Sequence, residues 1–121
     1  AEAWRYVGQT QYPQRNYEGA IESFNKCVAL EADLPQADQE IECYYLRGLS
    51  YYYLADCQQA WDVLTDSINR VRATSDDPNN PVLVNSEHGL QLITQNCTGF
   101  AGRALPTPVP PTAIPPTPIG G

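Results

Sequence analysis

The residues with the most definite chemistry are four cysteines, Cys27, Cys43, Cys57 and Cys97. Thiols can ligate a metal, attack a substrate or cross-link the chain. No two of them form the close C-x-x-C pair that helps build a tetrahedral zinc site. An even number of widely spaced cysteines, in a chain with one lysine and no methionine, reads as two disulfides of a secreted protein rather than as free core thiols or a metal site. The single histidine, His88, stands beside Glu87, but one histidine cannot complete a Ser-His-Asp arrangement, and it reads as a surface or packing residue. The fourteen carboxylates form no convincing pair. Asp76 and Asp77 fall in a turn without the ligand series of a calcium loop. No glycine-rich phosphate loop is present. Neither a catalytic residue nor a metal or cofactor site is therefore expected, and the chain reads as a non-enzyme.

Two patterns could instead accept a modification. Asn96-Cys97-Thr98 matches the N-glycosylation tripeptide. Thr107, Thr112 and Thr117 recur every five residues, each beside proline, which is the composition of O-glycosylated stalks.

Composition narrows the partners. The net charge is −7 over 121 residues, and the few basic residues are scattered singly, which excludes nucleic acid. No apolar run approaches the ~18–20 residues of a membrane span. A start of Ala1-Glu2-Ala3 without a hydrophobic leader fits a mature product whose signal has been removed, or equally a piece cut from a longer chain. Together with the cysteines, this points to an extracellular or cell-surface location. The acidic residues all lie at or before Glu87, and seven of the 11 prolines lie between Pro106 and Pro118. The chain thus divides into a helical domain, 1–100, and a Pro/Thr-rich extended tail, 101–121.

The elements that position these residues are helices. Trp4, Val7, Gly8, Ala20, Ile21, Phe24, Cys27 and Val28 have helical spacing, interrupted at Pro13 to Asn16. This predicts helices over Ala3–Tyr12 and Tyr17–Leu30. Tyr44, Tyr45, Leu46, Gly48, Leu49, Tyr52 and Tyr53, followed by Ala60, Trp61, Leu64 and Ile68, predict a second pair over Asp38–Leu54 and Cys57–Arg72, with Asp56 as the N-cap of the latter. A fifth helix over Pro81–Asn96 opens with proline in its first turn, and Gly99 follows its end. Short turns make each pair antiparallel.

An internal repeat runs through these helices. Gly8, Ala20 and Phe24 recur as Gly48, Ala60 and Leu64 at an offset of 40, and Gly89 follows Gly48 by 41. A mid-helix glycine costs about 1 kcal/mol against alanine, so its recurrence implies close helix crossings. Such a period indicates a solenoid of helix pairs. In Trp4-Arg5-Tyr6-Val7-Gly8 with Tyr17-Glu18-Gly19-Ala20-Ile21-Glu22-Ser23-Phe24-Asn25-Lys26-Cys27, and more weakly in Tyr44, Gly48, Tyr51, Ala60 and Leu64, the chain resembles the tetratricopeptide repeat (TPR) family. Arg47 departs from the family's apolar residue before the glycine. The resemblance implies an all-α solenoid of about two TPR-like hairpins plus a capping helix, followed by an extended, polyproline-II-like tail. It also implies a protein-binding scaffold whose concave face takes Arg5, Gln9, Tyr12, Tyr45, Leu49, Tyr52 and Leu90.

This topology predicts the disulfides. Facing residues of an antiparallel hairpin are symmetric about its turn. Cys27 and Cys43 centre on residue 35, and Cys57 and Cys97 on residue 77, each near a predicted turn. Cys43–Cys57 would centre inside the third helix. The expected pairs are Cys27–Cys43 and Cys57–Cys97.

The tail repeats Pro-Thr-small-β-branched units of five residues. Proline at this density excludes helix and central strand, and polyproline II over Pro106–Ile119 would reach roughly 43 Å. Its carbonyls lack internal partners, and tyrosine faces suit such ligands, because the ring packs on proline while the hydroxyl bonds a carbonyl. The expected function is a self-assembling filament subunit whose tail docks on the body of a neighbouring copy, with glycans as covalent attachments to the tail. The alternative is a secreted or surface-tethered TPR adaptor whose tail is only a linker.

Overall fold

The computed structural model describes residues 2–34 and 42–106. Among these residues there are five helices and no strand: α1 Glu2–Gln11, α2 Tyr17–Glu31, α3 Glu42–Tyr53, α4 Cys57–Thr74 and α5 Pro81–Asn96. All five predicted helices are present. The expected start of the third, at Asp38, lies outside the described residues.

Local chemistry sets the boundaries. Asn16 and Asp56 cap α2 and α4, each side chain accepting a backbone N–H three residues on, from Gly19 (3.1 Å) and Gln59 (3.3 Å). These bonds satisfy N–H groups that a helix start leaves without intrahelical partners. Asn80 does the same for α5, accepting from Val82 at 2.9 Å, and Pro81 follows it.

The turns α1–α2 and α3–α4 are copies of each other. In the first, Arg15 N–H donates to Tyr12 C=O and Asn16 N–H to Gln11 C=O; in the second, Ala55 donates to Tyr52 and Asp56 to Tyr51. Arg15 and Ala55 hold left-handed conformations, φ 62° and 64°. The 40-residue offset therefore governs the turns as well as the helix faces.

Consecutive helices pack on one another, and α1 also contacts α3, which contacts α5; no other helix pair meets among the described residues. The molecule thus has an inner row, α1–α3–α5, and an outer pair, α2 and α4. The recurrent glycines lie where rows cross. A Cβ on Gly8 would strike the Phe24 ring, and one on Gly48 would lie 2.7 Å from Leu64 Cγ. At Gly89 the close neighbours are again Leu64, at 2.8 Å, and Leu49, at 2.9 Å.

Two apolar clusters form. Ala20, Phe24, Cys27 and Cys43 make the smaller, with Trp4 and Leu46 at its edge. Ala60, Trp61, Leu64, Ile68, Val71, Leu83, Leu90, Ile93 and Phe100 make the larger. Val7, expected on the apolar face, is exposed with Tyr6, because α1 packs only on α2 and α3 among the described helices and Val7 lies off those contacts.

Disulfides join Cys27 to Cys43 and Cys57 to Cys97, the two pairs expected from the hairpin symmetry. The departure at Arg47 has a structural use. Its guanidinium donates to Asn25 Oδ1 at 3.0 Å, tying α3 back to α2. Tyr44, buried beside it, is covered by the Arg70 guanidinium 4.2 Å above its ring.

Candidate functional site

The copied turns bring the ends of the inner helices to one side of the molecule, and tyrosines collect there. Tyr12 directly follows α1, Tyr17 opens α2, and Tyr52 and Tyr53 close α3. Tyr17 and Tyr53 stack at 4.9 Å with planes 17° apart. Tyr12 meets both edge-on, at 5.6 and 6.3 Å, and Tyr52 meets Tyr53 at 5.1 Å. Such geometries add attraction beyond simple burial. At the end of α5, Asn96 Nδ2 donates to the Tyr52 hydroxyl at 2.8 Å. The cluster thus runs across all three inner helices.

Its edge is open. Tyr53 is half exposed, and Tyr12, Tyr17 and Tyr52 are partly so. The Tyr12 phenol is held far above its ordinary value, first by burial and then by the neighbouring Tyr53, Tyr17 and Tyr45 hydroxyls. Burial raises Tyr45 too, with Glu42 adding to it. These hydroxyls stay protonated at ordinary pH and can each donate one hydrogen bond.

The residues predicted for the face separate into groups. Tyr12, Tyr45 and Tyr52 belong to or adjoin the cluster. Leu49 packs against the larger core beside Gly89. Gln9 is partly buried. Arg5 lies further back on α1, 3.7 Å from Glu2 and over the Tyr6 ring at 4.6 Å. Leu90 is a correction: it is fully buried inside the larger apolar cluster that residues of α4, α5 and Phe100 build, and it lines no open face. Tyr17 and Tyr53 were missed. Tyr53 directly follows Tyr52, the counterpart of Tyr12 at the offset of 40, and that adjacency is the signal that could have found it.

The remaining candidates fall into ordinary structural roles. Glu87 pairs with Arg72 at 3.2 Å, and His88 is exposed. Asp77 accepts from Asn79 N–H at 2.9 Å, forming a turn. Among the described residues no three potential ligands gather as a metal site, and no helix is long and apolar enough to cross a membrane. Asn96 and Thr98 are exposed on either side of the bridged Cys97. Thr107, Thr112 and Thr117 lie outside the described residues.

The root of the tail is described. After α5, Phe100 packs on Trp61 at 5.9 Å, Arg103 covers both rings, and Leu105 reaches the larger core. Pro106 C=O then accepts from Arg72 Nη1 at 3.1 Å. Arg72 is near the end of α4, whose start, Cys57, follows the Tyr52–Asp56 turn. Fifteen helical residues, about 22 Å, separate the tail's exit from the tyrosine end. No family model matches the chain, and no match was found among curated proteins or solved structures.

Proposed function

We propose that this chain is an extracellular, non-enzymatic subunit that assembles head to tail, its TPR-like body receiving the Pro/Thr-rich tail of a neighbouring copy. The observation that carries this reading is the partly open cluster of Tyr12, Tyr17, Tyr52 and Tyr53. Polyproline ligands are bound by aromatic grooves that offer ring faces to proline and donors to carbonyls. The cluster supplies both. The TPR-like part of the reading is supported by the order of helix contacts and by the recurrence of Gly8, Gly48 and Gly89 at close crossings.

Docking between copies, rather than within one, is favoured by direction. The chain from Cys97 to Pro106 runs along α4 away from the tyrosine end before the tail begins. A stiff polyproline segment does not readily reverse, so it is better placed to meet the next molecule. A contact of this kind is heterologous and propagates. The two disulfides are compatible with an oxidising, extracellular setting. In this reading Thr107, Thr112 and Thr117 are the O-glycan acceptors, which intact mass of native material tests directly.

The test is deletion of residues 107–121. The truncated body should keep its helical spectrum, remain monomeric by light scattering, and bind a synthetic peptide of residues 106–121. Tyr53→Ala should weaken that binding, whereas Tyr6→Ala, exposed elsewhere, should not. Continued assembly of the truncated body would refute tail docking. A full-length monomer whose body ignores the peptide would leave the tail as a linker, the adaptor reading.

A further inference from the structure

The segment from Cys97 to Pro106 is not helical, yet Phe100 and Leu105 anchor it on the larger core. It runs along α4, from Cys57 at its start past Trp61 to Arg72 near its end. Two tight turns, closed by Phe100 N–H to Cys97 C=O and Arg103 N–H to Phe100 C=O, shape its start. Gly99 and Gly102 supply left-handed conformations there, φ 88° and 77°. Phe100 is buried against Trp61, and Arg103 sits over Trp61 at 5.0 Å and over Phe100 at 4.1 Å. Arg72 holds the far end through Pro106. The near end is held by the Cys57–Cys97 bond.

The two disulfides differ in accessibility. Cys27 and Cys43 are both fully buried, inside the smaller core. Cys57 and Cys97 are both only partly buried, at the margin of the larger one. Exchange with an external thiol requires that the attacking sulfur reach a bridge sulfur in line with the bond, so access governs which bridge opens.

We propose that Cys57–Cys97 is a redox latch on a strap, residues 97–106, that fixes where the tail leaves the body. A small-molecule dithiol opens it in two exchanges. The first thiolate attacks one bridge sulfur, giving a mixed disulfide and one cysteine thiolate, which takes up a proton. The second thiol of the reagent displaces the other cysteine. Two cysteine thiols are formed, and the reagent is oxidised to its own disulfide. The strap then keeps only Phe100, Arg103, Leu105 and the Arg72 bond, none covalent, and it separates from α4 by local opening while the helices remain packed. Oxidised, the tail root is fixed in direction; reduced, it is free to swing. This does not depend on what the tail binds.

The experiment uses the intact, oxidised chain. It is exposed to dithiothreitol at rising concentration without denaturant, alkylated at intervals, and mapped by peptide mass. In parallel it is treated briefly with trypsin, for which Arg103 lies within the strap. The two-thiol species should carry its labels on Cys57 and Cys97. Cleavage after Arg103 in that species should be faster by on the order of tenfold, with Arg70 and Arg72 on α4 still protected. The proposal is overturned if Cys27 and Cys43 are labelled first or together with the others. It is overturned equally if Arg103 is cut no faster in the two-thiol species, or if α4 is cut along with it, which would report unfolding of the helices rather than release of a strap.

Discussion

Replacing Gly48 with alanine tests whether the recurrent glycines are packing devices. On helix propensity alone the change should stabilise α3 by about 1 kcal/mol. Packing opposes it. The new methyl would lie 2.7 Å from Leu64 Cγ, 2.8 Å from its Cδ2 and 3.3 Å from its backbone nitrogen. Leu64 is fully buried and cannot retreat freely, because Gly89 presses on its other side: a Cβ there would lie 2.8 Å from Leu64 Cδ1. Overpacking of this kind costs about 1–3 kcal/mol, and with a backbone atom involved the upper half of that range applies. The net expectation is a loss of about 1–2 kcal/mol, or a fall in Tm of roughly 4–8 °C per kcal/mol for a domain of this size. The assay is urea or thermal unfolding with both disulfides intact, run as a double-mutant cycle with Leu64→Ala. Leu64→Ala alone should cost about 2–5 kcal/mol. In that background Gly48→Ala should become neutral or mildly stabilising, because the clash is gone and the propensity gain remains. A Gly48→Ala variant as stable as the parent, or an equal effect in both backgrounds, would refute the close-crossing account of the repeat.

Two further outcomes follow from the site and the core. Tyr12, Tyr44 and Tyr45 have raised phenol values, each first through burial. The unfolded chain therefore loses these protons near pH 10 while the folded one keeps them, so stability is fully present below that pH and falls as pH rises above it. Absorbance titration should show these phenols lagging the rest, and Tyr12→Phe should lessen the alkaline loss; unfolding midpoints independent of pH between 9 and 11 would contradict this. Separately, replacing Cys27 and Cys43 with serine should cost about 3 kcal/mol for a loop of 16 residues by the chain-entropy relation. Denaturant unfolding measures this, and a loss below about 1 kcal/mol would indicate that the smaller core already restrains the unfolded chain.

Much of the architecture was legible because two independent signals agreed. Apolar spacing located the helices, and the 40-residue offset of Gly8 and Gly48 fixed how the pairs correspond. The hairpin symmetry of the cysteines then required no knowledge of side-chain packing, since antiparallel neighbours are paired by arithmetic alone. Leu90 was misassigned for a physical reason. Periodicity places an apolar residue on a helix face but does not state what covers that face, and Leu90 is enclosed by a cluster that also draws in Phe100 from beyond α5. Tyr17 and Tyr53 escaped for another: each is the residue next to a turn, where helical periodicity ceases to state which way a side chain points.

The copied turns explain why a site should form at that end of the molecule at all. In each, a non-glycine residue, Arg15 or Ala55, takes a left-handed conformation that L-residues enter rarely, immediately before an Asn16 or Asp56 cap. That geometry stops α1 and α3 at equivalent heights, with Tyr12 and Tyr52 in equivalent places. Had the two hairpins ended at different levels, Tyr53 could not stack on Tyr17 from the preceding pair. The repeat that builds the core therefore also aligns the aromatic rings across it. At the far end of α4 the chain is held by the strap and by Arg72, whose guanidinium donates to Pro106 C=O. The body is consequently polar: one end presents tyrosines and the other releases the tail. Such a difference between ends is what head-to-tail association of identical copies requires.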